Sequence, residues 1–352
     1  MRFALALALA GALATAATGR SATRPVPQGL RAETGAAVGT GDLWVLGVYR
    51  CRSTFCGALV RSTDAGRHFR RVALPPFPSQ GTVPTLEFAN ARDGFAYIRY
   101  EGPLWVTHDG GSSWHRAGVA GRVLSFAAGA GDAYVVTSHR SLERSPVTKD
   151  AWHALRLPSF RGGYSVSLAV AGSRVWLLGS PKRRYADDGD ELALSQDRGR
   201  HFAVRAGPCL AELSGTLVPA GNEVVWAVCP TGMMAELRLS RDGGHSFPDT
   251  RSVHDPGGLR LPSLTNGARI AASSARDAVL YAGAQGPLVR TSDLGVRWTP
   301  LRRTTRFAQV FWLRFSSSRD GAAVVTTRSH PDRGALWRTT DGGATWLPVP
   351  LH

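Results

Sequence analysis

The sequence predicts an all-β chain: one seven-bladed β-propeller of four-stranded antiparallel blades, with six or eight blades as the neighbouring ring sizes. Two observations carry this. An eight-residue phrase recurs six times, and between its copies short apolar strands follow one another in a fixed order. The phrase is a hydroxyl residue, a free position, Asp, a free position, Gly, two free positions and an aromatic. Its copies run over residues 62–69, 107–114, 195–202, 240–247, 291–298 and 339–346. Successive aspartates lie 45, 88, 45, 51 and 48 residues apart, so the long gap spans two periods. A decayed copy fills it. Ser145 and Trp152 keep the outer spacing, while Val147 replaces the Asp and Lys149 the Gly.

Each part of the phrase has a local reason. Asp64, Asp109, Asp197, Asp242, Asp293 and Asp341 are turn staples, because a short carboxylate accepts the N–H groups that a tight turn leaves without strand partners. Glycine two places later suits a positive φ. The closing aromatic starts the next strand and packs back over the turn. Catalysis needs unlike groups converging on one point, and calcium needs six or more oxygens in one loop. The repeated acids therefore read as structural.

The strands follow in order within each unit. A first strand such as Thr85-Leu86-Glu87-Phe88 precedes a small-residue turn, then an apolar second strand such as Leu43-Trp44-Val45-Leu46 or Val224-Val225-Trp226-Ala227. A third strand leads into the phrase and a fourth leaves from its aromatic. No helix and no internal domain boundary is expected. Every blade is contiguous chain, so no exchanged strand clasps the ring; disulfides and face packing are expected to close it unless the linker adds an edge strand.

The phrase resembles the Asp box, or bacterial neuraminidase repeat, found at the turn between third and fourth strands of propeller blades. Sialidases, xyloglucanase-type glycoside hydrolases, sortilin-type receptors and the photosystem II assembly and stability factors share it. Seven blades in one domain behind an export signal resemble the last of these most in layout. The resemblance implies the fold strongly and the function weakly.

Residues 1–20 have a charged start, an apolar run and small residues, the pattern of a signal peptide rather than a membrane span. Residues 21–28 read as a linker and 29–352 as the ring. The expected product is secreted or periplasmic, with no transmembrane anchor, and a monomer. The four cysteines suggest the bridges Cys51–Cys56 and Cys209–Cys229, the second between neighbouring antiparallel strands. Neither pair has metal-site spacing, so no metal and no cofactor is expected.

Net charge is +16, and 40 of the 42 basic residues are arginine, the exceptions being Lys149 and Lys182. Such a charge favours a protein partner or an anionic glycan or surface. Export and the absence of a recognisable motif argue against nucleic acid.

Asp-box turns occupy one face of a propeller, so ligands are expected on the opposite, loop face. The candidate binding residues there are Arg50, Arg99, Tyr100, Arg140, Arg161, Tyr164, Arg183, Arg184, Arg302, Arg303 and Arg328. The acidic stretch Asp187 to Glu191 reads as a solvated turn, and Glu87 and Arg314 sit at matching first-strand positions where they can pair across the channel.

The expected function is a non-enzymatic binding, scaffold or assembly-factor-like module for a protein or anionic ligand. The alternative is an exo-sialidase-like glycoside hydrolase. Sialidases resemble this chain in their boxes, but have six blades, an Arg-Ile-Pro segment, an arginine triad, an acid/base and a Tyr–Glu pair. Thr23-Arg24-Pro25 is not that segment, and no catalytic set can be assigned.

Overall fold

Seven sheets, each drawn from one contiguous stretch of chain, form the ring. The computed structural model describes residues 25–77, 83–157, 162–181, 189–210, 215–251, 263–265, 267–283 and 286–352. In blade 1 the strands are Arg31–Val38, Asp42–Cys51, Thr54–Ser62 and Arg70–Val72, paired in that order and antiparallel. Blades 2 to 7 repeat the pattern, beginning at Thr85, Val123, Gly162, Thr216, Arg269 and Phe307. One extra short strand, Leu264–Thr265, pairs with the third strand of blade 5. Among the described residues a 3₁₀ turn at Arg302–Thr304 is the one helical element. The two sequence-expected disulfides are present, Cys51–Cys56 and Cys209–Cys229.

The middle of each second strand is buried because both of its faces meet another blade. Trp44, Trp176 and Trp226 are fully enclosed at equivalent positions there. What each ring meets explains the box. The Trp44 indole N–H donates to Gly110 O (3.0 Å) and that of Trp176 to Gly243 O (2.8 Å), each acceptor lying in the box of the next blade. Trp226 faces a box whose corresponding residue is Leu294; Leu294 packs against its cluster, and its N–H has no acceptor among the described residues. The box glycines therefore answer two demands at once. Gly244 has φ +92°, and a Cβ there would lie 2.7 Å from Trp176 Nε1.

Inside the box the hydroxyl, rather than the carboxylate, collects most of the turn amides. Ser62 Oγ accepts the N–H of Gly66 (2.8 Å) and of Asp64 (3.3 Å) while donating to Asp64 Oδ1 (2.7 Å). The carboxylate accepts one amide, from His68 (3.0 Å), and meets the His68 ring at 2.6 Å. The other five boxes repeat the hydroxyl geometry. The sequence reading gave the aspartate this multiple role; the hydroxyl lies closer to the inner amides. In the decayed copy Ser145 stays buried and redirects its hydroxyl to Lys149 O (2.6 Å), so the turn survives without its carboxylate.

A second repeated pair stands beside the boxes. The arginine just before the box hydroxyl meets an aspartate at the start of the second strand: Arg61–Asp42 (2.7 Å), Arg144–Asp132 (2.9 Å), Arg290–Asp277 (2.9 Å) and Arg338–Asp320 (2.7 Å). Three of these arginines also donate to a backbone carbonyl in the next blade, Arg61 to Gly110 O, Arg290 to Gly342 O and Arg338 to Ala65 O. Charge-assisted bonds of this kind hold blade to blade where no backbone ladder does.

The seam between blades 7 and 1 closes without strand exchange, as the contiguous blades require. Residues 25–30 form no strand, so the described part of the linker adds no edge. Neither disulfide crosses the seam, contrary to expectation: one closes a hairpin of blade 1, and the other joins the outer strand of blade 4, Ala203–Leu210, to the second strand of blade 5, Val224–Thr231. Its partners thus belong to different blades, not to neighbouring strands of one sheet. Side chains close the seam instead. Val26 and Leu30 from one end and Val349 and Leu351 from the other pack against one cluster with Leu43, Val45, Trp312 and Leu336. Arg338 reaches Thr40 O (2.8 Å), and the Phe69 amide donates to His352 O (3.4 Å).

Two outcomes are expected. Gly244→Ala combines left-handed strain with the Trp176 contact and should cost at least about 2 kcal/mol in denaturant unfolding. Gly221→Ala, with φ +87° and nothing within 4 Å of the added carbon, should cost only the strain, about 1 kcal/mol. Equal losses would show that the ring contact is unimportant. The second outcome concerns acid. Bonds from the His68 amide, the His68 ring and the Ser62 hydroxyl hold Asp64 well below the usual carboxylate range. At Asp242 burial pushes upward, but bonds from Ser246 and Ser240 outweigh it. Carboxylates lowered on folding stabilise fully above the unfolded value near 3.8 and lose that contribution as pH falls below it. Stability should be flat in this respect above about pH 5 and decline progressively below about pH 4. Asp242→Asn should flatten the decline, as read from urea midpoints across pH.

Candidate functional site on the loop face

Because the box turns and the first-to-second-strand turns share one end of the sheets, the other end carries the blade-to-blade connectors and the second-to-third-strand loops. The first strands line the channel, and their starts face this loop side. Glu33 in blade 1 and Arg269 in blade 6 lie near that mouth. Burial pushes the Glu33 carboxyl up and lowers Arg269 from its ordinary value. Arg269 donates to Val310 O (2.9 Å), joining blades 6 and 7. Farther down, Arg314 and Glu87 meet at 3.2 Å as their matching positions suggested, and Glu87 also accepts the Ala128 amide at 3.3 Å. That carboxylate therefore ties blades 2, 3 and 7 together across the channel.

The expected binding residues separate into groups. Arg50, Arg140, Arg302, Arg303 and Arg328 are exposed at the ends of different blades. Arg302 and Arg303 project from the 3₁₀ turn, which Thr304 anchors by accepting the Leu288 amide (2.8 Å). Arg99 is committed to the scaffold: its guanidinium donates to Leu124 O and Val166 O, both at 2.8 Å, in the first strands of blades 3 and 4. It also lies 4.8 Å from the ring of Tyr100, which has φ +67°. Arg161, Arg183, Arg184 and the Tyr164 side chain lie outside what the structure describes. So do Asp187 and Asp188. The rest of that acidic stretch is not a solvated turn: Gly189–Ser195 is the third strand of blade 4, and Asp190 is 1% exposed. Among the described residues no group of three or more His, Cys, Asp or Glu is placed to hold a metal ion.

The residues that shape the mouth were missed. A groove of about 340 Å³ runs between blade 1 and blade 7, lined by Phe55, Val83 and Phe311 as apolar walls and by Arg31, Glu33 and Asp332 as its polar edge. Phe55, Val83 and Phe311 are 53%, 48% and 41% exposed, although each is large and apolar. Phe311 points outward because the first strand of blade 7 shifts register between Val310 and Trp312, leaving it opposite no residue. Thr326, 2% exposed, also lines the groove, and its hydroxyl has no hydrogen-bond partner among the described residues. Arg31 and Asp332 pair at 3.5 Å on the rim.

No protein-family model and no curated protein matches the chain. Solved structures do. A structure of YCF48 bound to D1 peptide matches at 16% identity over 90% of this chain and 95% of its own, with a TM-score of 0.57. YCF48 from Cyanidioschyzon merolae matches at 12% identity over 92% and 99%, with a TM-score of 0.58. A puromycin-hydrolysing peptidase of Mycobacterium tuberculosis matches at 13% identity and a TM-score of 0.63, over 94% of this chain but 55% of that one. These likenesses establish the shared propeller fold, and the two YCF48 structures match over nearly their whole length. The two disulfides accord with an extracytoplasmic location, and among the described residues no helix is long and apolar enough to cross a membrane.

The two kinds of arginine should separate by mutation. Arg99→Ala removes two charge-assisted bonds to strand carbonyls of blades 3 and 4 and should cost about 1–3 kcal/mol. Arg50→Ala and Arg140→Ala should stay within about 0.5 kcal/mol of the parent. A neutral Arg99→Ala in thermal unfolding would remove it from the scaffold.

Proposed function

We propose that the chain is an exported, non-catalytic binding propeller that holds a peptide segment of a partner protein in the loop-face groove between blades 1 and 7. The observation that carries this reading is the groove itself: three exposed apolar side chains face one concavity whose rim bears a solvent-facing ion pair. Most large apolar side chains fill the blade interfaces, and contiguous exposed apolar surface marks an interaction site. Phe55 stands on a hairpin held by Cys51–Cys56, so its position is set before binding and little ordering is required. The net charge of +16 favours an acidic partner and speeds its approach, while the apolar walls supply residence time. Support from outside the chain is of fold only: a propeller of the same layout has been solved with a D1 peptide.

The test is capture from the exported fraction with a photo-cross-linking residue placed at position 55. The reading expects a defined adduct that survives half-molar salt and falls at least about tenfold in Phe311→Ala, consistent with loss of an interface anchor. Capture abolished by salt and unaffected by Phe311→Ala would assign binding to diffuse charge. Hydrolysis of a fluorogenic sialoside, lost on changing a loop-face Glu or Tyr, would overturn the non-catalytic part in favour of the hydrolase alternative.

A further inference from the structure

A second and larger cavity, of about 550 Å³, lies at the loop end of blade 7 beside the groove. Its walls come from the stretch leading into blade 1, the connector from blade 6 and the second, third and fourth strands of blade 7. These segments bring Arg31, Arg306 and Arg333 to one hollow, and the described residues that line it include no aspartate or glutamate.

The arginines that precede the box hydroxyls are placed differently. Arg61, Arg144, Arg290 and Arg338 each hold a carboxylate within 3 Å. Among the described residues Arg306 and Arg333 have no carboxylate within 4.0 Å, and Arg31 has only the exposed Asp332 at 3.5 Å. Arg306 is nevertheless oriented, because its guanidinium lies 4.5 Å from the centroid of the Trp337 ring. Stacking fixes the plane and leaves the N–H edges free for a planar anion. Apolar atoms of Leu30, Trp337 and Pro348 form one part of the wall, and Thr327, Ser329 and His330 another.

We propose that this cavity is a binding site for a carboxylate carried on a small apolar body, with Arg306 and Arg333 as the carboxylate's partners. Its volume falls within the range of small-molecule sites. Two guanidinium forks match the two oxygens of a carboxylate, and the apolar wall favours a hydrocarbon body over a bare inorganic anion. The same chemistry is offered by a free organic acid and by the carboxyl terminus of a peptide ending in an apolar residue. The site goes beyond the peptide-groove reading and does not need it: it shares Arg31 and Gly334 with the groove but no part of the groove's apolar wall.

Calorimetric titration of the full chain at low salt tests this with phenylacetate, phenylacetamide and inorganic phosphate as probes. The expected result is one phenylacetate bound per chain, at least tenfold weaker binding of the amide and of phosphate, and at least tenfold loss in Arg306→Ala/Arg333→Ala. Arg302→Ala/Arg303→Ala, which changes the surface charge equally, should alter affinity less than twofold. Arg333→Ala alone, at an exposed residue in no ion pair, keeps the test valid if the double variant unfolds, and should weaken phenylacetate at least threefold. N-acetyl-glycyl-phenylalanine and its C-terminal amide then separate the sources: tight binding of the free acid alone assigns a peptide terminus, and its exclusion while phenylacetate binds assigns a free acid. Equal binding of phenylacetate and its amide, no binding of any probe, or equal losses in both double variants would overturn the proposal. Failure here leaves capture at Phe55 unaffected, and failure of that capture leaves this titration unaffected.

Discussion

The fold depends on a contact in which an aromatic ring of one blade rests on the bare backbone of the next blade's turn. The strand ladders end at the edge of each sheet, and beyond them only scattered backbone bonds, such as the Val123 amide to Gly102 O, pass from blade to blade. The join is made by side chains, and it needs a turn that presents carbonyls outward and no Cβ. The buried hydroxyl of the box winds the turn, the glycine keeps its surface bare, and Trp44 or Trp176 then reaches a carbonyl that a larger residue would cover. The arginines before the box add a charged bond to the same turn. Turn formation and blade docking are therefore one event.

Much of this was legible in the sequence because the turn is local. Hydroxyl, Asp and Gly at fixed spacing specify a backbone path whatever the surroundings, and six copies with a decayed seventh give the ring. The pairing of Glu87 with Arg314 was legible too, since equal positions in equal strands face the same channel. The Arg–Asp pairs at the second strands left a signal that went unread: arginine directly before the box hydroxyl in blades 1, 3, 6 and 7. The groove left almost none. Phe311 faces solvent because of a register shift in its strand, and alternation along a sequence cannot show a bulge before the partner strand is known. Asp190 misled for the reverse reason, as its acidic neighbours suggested a wet turn while pairing of Glu191 with Gly179 carries the stretch into the sheet.

The arginines follow a division of labour that total charge conceals. Those that precede the box hydroxyl are spent on aspartates and carbonyls, and Arg99 and Arg269 are spent on strand carbonyls at the other end. Screening by salt weakens exposed charge far more than these partly buried bonds. A composition of 40 arginines therefore describes two populations, one that builds the ring and one left facing the solvent.

Contiguous blades also bear on how such a ring changes over generations. Where a blade shares its sheet between the two ends of the chain, loss of either end removes strands from a working sheet. Here each sheet is encoded by one uninterrupted stretch, and the contacts at the blade 7 and blade 1 seam are of the same kind as those elsewhere. An in-frame duplication or deletion of one period would add or remove a whole blade with its docking surfaces intact. The number of blades is then a matter of how tightly the interfaces curve, and copy number becomes a trait that selection can adjust by whole units.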